Sequence, residues 1–302
     1  MACAGSSPKV ETPATPNVPV SAPTHTTSGK IEIEVPSETV TEGGIFFASV
    51  ESQSEIQDAT GLFQGHVIDF FPDGEHAADG GYHKYSAVIG VEYGTKPGNV
   101  SLSIKTKIGT EFVESHASIA VKSGTYPSER LRVPPRTILP SKKDQKLIAK
   151  DRIILGRAYA TKTLTKFWDS AVMMPITSDI TSLFGTARIY NGKKASVHFG
   201  TDLRAPMRTP IAAPMDGQVA VARLLFYTGN TVILDHGFGM FTIYGHLSKL
   251  MVKEGDIVKK GQIMGLSGMT GRASGPHLHW GVNLHGTKID PMVLIQALKK
   301  QG

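Results

Sequence analysis

Short alternating segments, each cut off by a turn cluster, restrict the fold of this chain most. Ile31, Ile33 and Val35 alternate with Glu32 and Glu34, the period of two that sends one side of a strand into a core and the other into water. Further apolar segments at 45–50, 66–71, 85–91, 99–106 and 112–121 are separated by Gly, Pro, Asn and Asp. Many short strands at this spacing predict an antiparallel, immunoglobulin-like β-sandwich over 30–123. No run of about 18 apolar residues occurs, so no helix long and apolar enough to cross a membrane is expected.

The charge divides along the chain. Its net value of +6 over 302 residues combines −8 in residues 1–123 with +14 in residues 124–302, an asymmetry that assigns the two halves different partners. Residues 1–29 are expected to form a disordered tether. Pro, Ser and Thr fill 14 of the 26 positions from 4 to 29, too little apolar surface to offset the entropy of ordering. The lone cysteine, Cys3, precedes this run as in the mature start of a bacterial lipoprotein. No signal peptide stands before it, so a lipid anchor at Cys3 and an incidental cysteine are equal readings. Residues 124–170 read as a basic connector of net charge +7. There Ser141 caps a helix, Asp144 sits in its first turn, and Leu147, Ile148, Ile154, Leu155, Ala158 and Tyr159 form its apolar face. Gly156 argues against an unbroken helix.

Residues 171–302 hold six of the eleven histidines. His198-Phe199-Gly200-Thr201-Asp202 pairs an imidazole with a carboxylate, both good zinc ligands. Gly200 and Ala205-Pro206 place the pair at a strand end rather than on a helix. In Gly275-Pro276-His277-Leu278-His279-Trp280, strand alternation puts both histidines on one face and Leu278 and Trp280 in the core. Residues 231–236 and 240–244 flank Gly237-Phe238-Gly239 like a hairpin, and Tyr244-Gly245-His246-Leu247 ends its second arm. A zinc hydrolase needs three protein ligands, an open position for water and a proton-transferring group beside it. One carboxylate and four histidines supply that set.

These motifs resemble the three signatures of the lysostaphin-type (LytM-like) zinc metallopeptidases of family M23. Flanking residues agree: Ala205-Pro206, Thr209-Pro210, Asp235-His236-Gly237, Val258-Lys259-Lys260-Gly261-Gln262 and Thr270-Gly271. The resemblance covers roughly 183–295 and departs only at Trp280-Gly281, where the family often has an aromatic followed by an acidic residue. It implies a groove domain of antiparallel sheets over 171–302. It implies one Zn2+ held by His198, Asp202 and His279, with His246 and His277 as catalytic groups flanking the reactive water. The implied reaction is hydrolysis of peptide cross-links in peptidoglycan, the D,D type being favoured, in the periplasm or on an outer-membrane lipoprotein. The alternative is a catalytically silent regulator that binds and activates another wall hydrolase, as relatives with broken zinc ligands do. Wall-remodelling partners would dock through 30–123. Uncovering 171–302 by removing the upstream segments is expected to raise its activity.

Other readings are weaker. Gly255-Asp256 to Gly261-Gln262 also suits a lipoyl-type carrier hairpin, but no turn lysine is present. The basic half has no zinc-finger spacing or base-stacking motif, so nucleic acid is excluded as a partner. His66, His76, His83 and His116 have no ligand spacing. His236 reads as structural, His285 as a surface residue, and Tyr190 as packing rather than an oxyanion donor.

Overall fold

A computed structural model describes residues 24–28, 31–74, 81–131, 138–169, 172–192 and 194–300. The expectations for Cys3, His76 and most of the tether lie outside these residues. The tether needs one correction: Thr24–Ser28 forms a strand, β1, antiparallel to β2 (Ile31–Val35), where backbone pairing overrides a polar composition.

The predicted sandwich is present as two five-stranded sheets. One runs β1, β2, β4 (Ile45–Ile56), β8 (Tyr82–Gly90), β7 (Phe71–Pro72); the other runs β3 (Val40–Thr41), β10 (Glu111–Lys122), β9 (Gly98–Ile108), β5 (Asp58–Phe63), β6 (His66–Asp69). Ile31, Ile33 and Val35 are buried and Glu32 is exposed, as the alternation requires. Both inner faces share one core, closed by an edge-on contact of Phe46 with Phe63 at 5.2 Å. The strand at 58–63 escapes sequence reading because Gly61 stands where an apolar residue would mark the inner face. A Cβ there would lie 3.1 Å from the Phe70 ring.

After the sandwich, β11 (Ser128–Leu131) pairs in parallel with β13 (Ala187–Tyr190), which also carries β14 (Lys194–Val197). Helix α1 (Lys142–Tyr159) then begins at a capping box: Ser141 Oγ accepts from the Asp144 N–H, and Asp144 accepts from the Ser141 N–H. It runs unbroken through Gly156. Ile154, Leu155, Ala158 and Tyr159 pack on Val221, Ile233 and Phe241. Leu147, assigned to the same face, is exposed, whereas its neighbour Ile148 is buried.

An eight-stranded sheet dominates the C-terminal half. Its order is β12 (Ile180–Ser182), β15 (Thr201–Arg204), β23 (His277–Leu284), β19 (Met240–Leu247), β18 (Gly229–Asp235), β17 (Gly217–Leu225), β21 (Ile257–Val258), with β24 (Thr287–Ile289) beside β23. A small sheet of β16 (Pro210–Ala212), β22 (Ile263–Leu266) and β20 (Lys249–Leu250) and the helix α2 (Pro291–Lys300) complete it. The expected hairpin is β18–β19, turning through Gly237, Phe238 and Gly239, all with positive φ. Phe71 and Val88 from the sandwich join the core of this half, and Phe71 meets Trp168 and Phe238 edge-on at 5.1 and 5.5 Å.

Candidate metal centre

Three neighbouring strands bring the histidines together. β15 and β23 pair antiparallel with Asp202 opposite His279, and Gly245 of β19 lies opposite His279 on the other side. Directly opposed residues share a face, so Asp202 and His279 meet while Leu278 and Trp280 point into the core, where neither is exposed. His198 is carried in by the turn before β15. Gly200 makes this approach feasible: a Cβ there would sit 2.5 Å from His279 Cε1 and 2.7 Å from the Trp280 carbonyl.

His246 arrives differently. Strict alternation would turn it to the same side as the buried Tyr244. Instead the register between β18 and β19 slips after Val232–Tyr244, and His246 adopts φ of +62°. Its N–H donates to the Thr228 carbonyl. This β-bulge re-aims the side chain and sets its ring 4.7 Å from that of His277.

Hydrogen bonds assign the tautomers. Carbonyls only accept, so Nδ1–H of His198 donates to Leu183 O at 3.0 Å, that of His246 to Thr270 O at 2.7 Å, and that of His277 to Gly275 O at 2.9 Å. In its neutral form each of these rings thereby presents Nε2 as the free lone pair. Three donor atoms converge: His198 Nε2 lies 3.0 Å from His279 Nδ1 and 3.0 Å from Asp202 Oδ1, and His279 Nδ1 lies 2.9 Å from Asp202 Oδ1. Ligands bonded to zinc at 2.0–2.1 Å in a tetrahedron stand about 3.3 Å apart, so this triangle fits one such ion. These three form a group able to hold a metal ion among the described residues. His277 Nε2 lies 3.8 Å from Asp202 Oδ2.

The electrostatics favour a cation. Burial opposes ionisation of Asp202, but hydrogen bonds and charge from His198 and His279 outweigh it and hold the carboxyl well below the usual range. Burial pulls His279 down, against its bond to Asp202. Burial, then the neighbouring His279 and His277, pull His246 down to about 3. Arg188 donates to Asp202 Oδ2 at 2.6 Å, leaving Oδ1 for the triangle.

Several contributors carried no sequence signal, Arg188 among them. The Thr270 carbonyl orients His246, and its hydroxyl ties the loop to Leu247 O at 2.8 Å. Arg272, two residues on, stacks over the rings of Tyr190 at 5.0 Å and Tyr227 at 4.5 Å and has no ion-pair partner among the described residues. Tyr190 itself is buried against Ile138, as packing. His236 is fully buried, bonded to Asp216 O at 2.6 Å and Thr242 Oγ1 at 2.7 Å. His285, expected at the surface, is half-buried with both ring nitrogens turned inward, because the turn before β24 lies against the sandwich beside His66. His66, His83 and His116 bond to Glu92, Ser52 O and Ser103, and among the described residues they join no metal-ligating group.

Parts of the chain resemble known proteins. The family model for peptidase family M23 matches residues 196–291. Peptidoglycan DD-endopeptidase ShyA of Vibrio cholerae is 42% identical over 114 residues, 37% of this chain and 26% of that protein. ShyB of the same organism, another peptidoglycan DD-endopeptidase, is 42% identical over 95 residues, 32% of this chain and 22% of that protein. The match thus spans about a quarter of the length of these relatives. A crystal structure from Pseudomonas aeruginosa, named for peptidase M23, superposes with a TM-score of 0.64 at 28% identity, covering 86% of this chain and 96% of that one. The segment that carries these histidines, residues 196–291, is thus similar to the peptidases of family M23.

Proposed function

We propose that this protein is a zinc-dependent endopeptidase that hydrolyses peptide cross-links of peptidoglycan, the D,D cross-link in particular, in the bacterial cell envelope. The observation that carries this reading is the triangle of His198 Nε2, Asp202 Oδ1 and His279 Nδ1 with the Nε2 atoms of His246 and His277 beside it. In this reading His198, Asp202 and His279 hold one zinc ion. When bound, zinc supplies Lewis acidity, which polarises a carbonyl and acidifies water.

The chain's own groups supply the rest. His246, neutral because it is buried, offers Nε2 to take a proton from the attacking water. The bond from its Nδ1–H to Thr270 O fixes that tautomer and steadies the charge that develops on the ring. His277 is poised in the same way by Gly275. The ring whose Nε2 is bare accepts the water's proton, and the other donates to the oxyanion only when Nε2 also carries a proton. Arg272, held in plane by two tyrosines, offers its edge donors to a substrate carboxylate. A silent regulator of another hydrolase would need a broken donor set, whereas here every donor is in place.

The test is digestion of purified sacculi followed by mass spectrometry of muropeptides. Cross-linked dimers should convert to monomers, chelator should stop the reaction, and zinc should restore it. Undigested dimers in the presence of stoichiometrically zinc-loaded protein would refute the proposal.

A further inference from the structure

The connector does more than join two halves. In the parallel pairing of β11 with β13, Glu129 stands directly opposite Arg188, so their side chains leave the sheet on one face. Arg188 Nε donates to Glu129 Oε1 at 2.5 Å, and Arg188 Nη2 donates to Asp202 Oδ2 at 2.6 Å. The same Nη2 donates to Ser182 Oγ at 2.9 Å, and that hydroxyl lies 3.2 Å from Glu129 Oε1 and 3.3 Å from His198 Nδ1. One carboxylate oxygen therefore anchors both groups that touch Asp202 and His198. Arg188 is 15% exposed and Glu129 27%, so water competes only partly for these bonds.

We infer that Glu129 is a positioning residue for the metal centre, although it lies 67 positions before the start of the family match at residue 196. The inference rests on the reading of His198, Asp202 and His279 as zinc ligands. Glu129 acts in two ways. It fixes the rotamer of Arg188, whose guanidinium occupies Oδ2 and turns Oδ1 toward the ion. It also balances the Arg188 charge; without it, Asp202 alone would have to offset both the guanidinium and the dication. Residues 171–302 therefore lack one support of their own site, against the expectation that removing the upstream segments raises activity.

The experiment measures zinc affinity of the full-length protein by competition with a chromophoric chelator, and thermal unfolding of the zinc-free protein. Glu129→Gln and Glu129→Ala should weaken zinc binding roughly 10–100-fold, the usual effect of losing a group that orients a ligand. Zinc-free unfolding temperatures should stay unchanged. Glu129→Asp should recover most of the affinity. Once Arg188→Met has removed the guanidinium link, adding Glu129→Gln should cost much less than it does in wild type, only the share carried through Ser182 remaining. Equal zinc affinity in wild type and Glu129→Gln, with wild type binding zinc, overturns the role of Glu129 alone. Wild type that binds no zinc overturns the metal reading, and the role of Glu129 with it. Additive losses in the double variant also reject the relay. If Glu129→Ala does not fold, Glu129→Gln, which keeps the volume and an acceptor oxygen, decides the question.

Discussion

The sandwich and the C-terminal sheet are both β-structures carrying histidines, yet the two sets behave differently. In the sandwich, His66, His83 and His116 bond to Glu92, Ser52 O and Ser103, and none of the three joins a metal-ligating group among the described residues. In the C-terminal half, backbone carbonyls accept from the Nδ1–H groups of His198, His246 and His277, the Nε2 atoms of His198 and His277 lie 3.0 and 3.8 Å from the buried Asp202, and the His246 ring lies 4.7 Å from that of His277. Histidine number is therefore a poor guide to chemistry. Direction decides, and direction is set by strand register, one bulge and the carbonyls that hold the rings.

The contrast can be broken most sharply at the carboxylate. Asp202→Ala should lower zinc from stoichiometric to trace and abolish turnover, while His66→Ala leaves zinc content unchanged. Metal analysis of both purified variants checks this, and a retained full equivalent of zinc in Asp202→Ala rejects the ligand set. His246→Ala comes next. It should keep zinc but lose about 10²–10⁴ in kcat, the range for a proton-transferring group; unimpaired kcat removes it from the mechanism.

Acid should separate the halves. His236 is buried neutral, its pKa lowered by burial to about 4. The unfolded chain takes up this proton near pH 6.5 and the native protein only near 4, so between those values the unfolded state binds more protons. Stability from this group is complete above about 6.5 and is lost as pH falls toward 4, on the order of 3 kcal/mol in all. Hydrogen exchange at pH 7 and 4.5 should show protection falling in β18 and β19 more than in β9 and β10. Equal change in both halves would contradict it. Arg272→Ala should raise KM about 10-fold for cross-linked peptides with free carboxylates, the scale of one charge-assisted hydrogen bond, and change KM little for amidated ones; equal effects on both exclude carboxylate recognition. The smallest effect belongs to the sandwich: His116→Ala should shift urea unfolding by no more than about 0.5 kcal/mol, as for an exposed side chain.

Much of this was readable where the signal is local. The alternation in 31–35 and 277–280 put Ile33 and Trp280 inside and His277 and His279 on one face. Ser141 and Asp144, three residues apart, announced the helix start. Reading failed where the partner is remote. Leu147 carries helical periodicity but is exposed, while Ile148 beside it takes the buried position. Residues 24–28 lack strand composition yet pair with β2. His285 ends on the interface with the sandwich, which no local pattern announces.

Sequence alone thus determined the mostly-β architecture and the faces of segments such as 31–35 and 277–280, because a period of two acts between chain neighbours, and its short motifs proposed His198, Asp202, His246, His277 and His279 as one group. The tertiary structure alone decided how those residues are aimed. The bulge that turns His246 toward His277 depends on the slip between β18 and β19. The support of Asp202 by Arg188 and Glu129 depends on a parallel pairing across more than fifty residues. Pairings so distant are chosen by the packing of whole sheets, so the local pattern of residues cannot encode them.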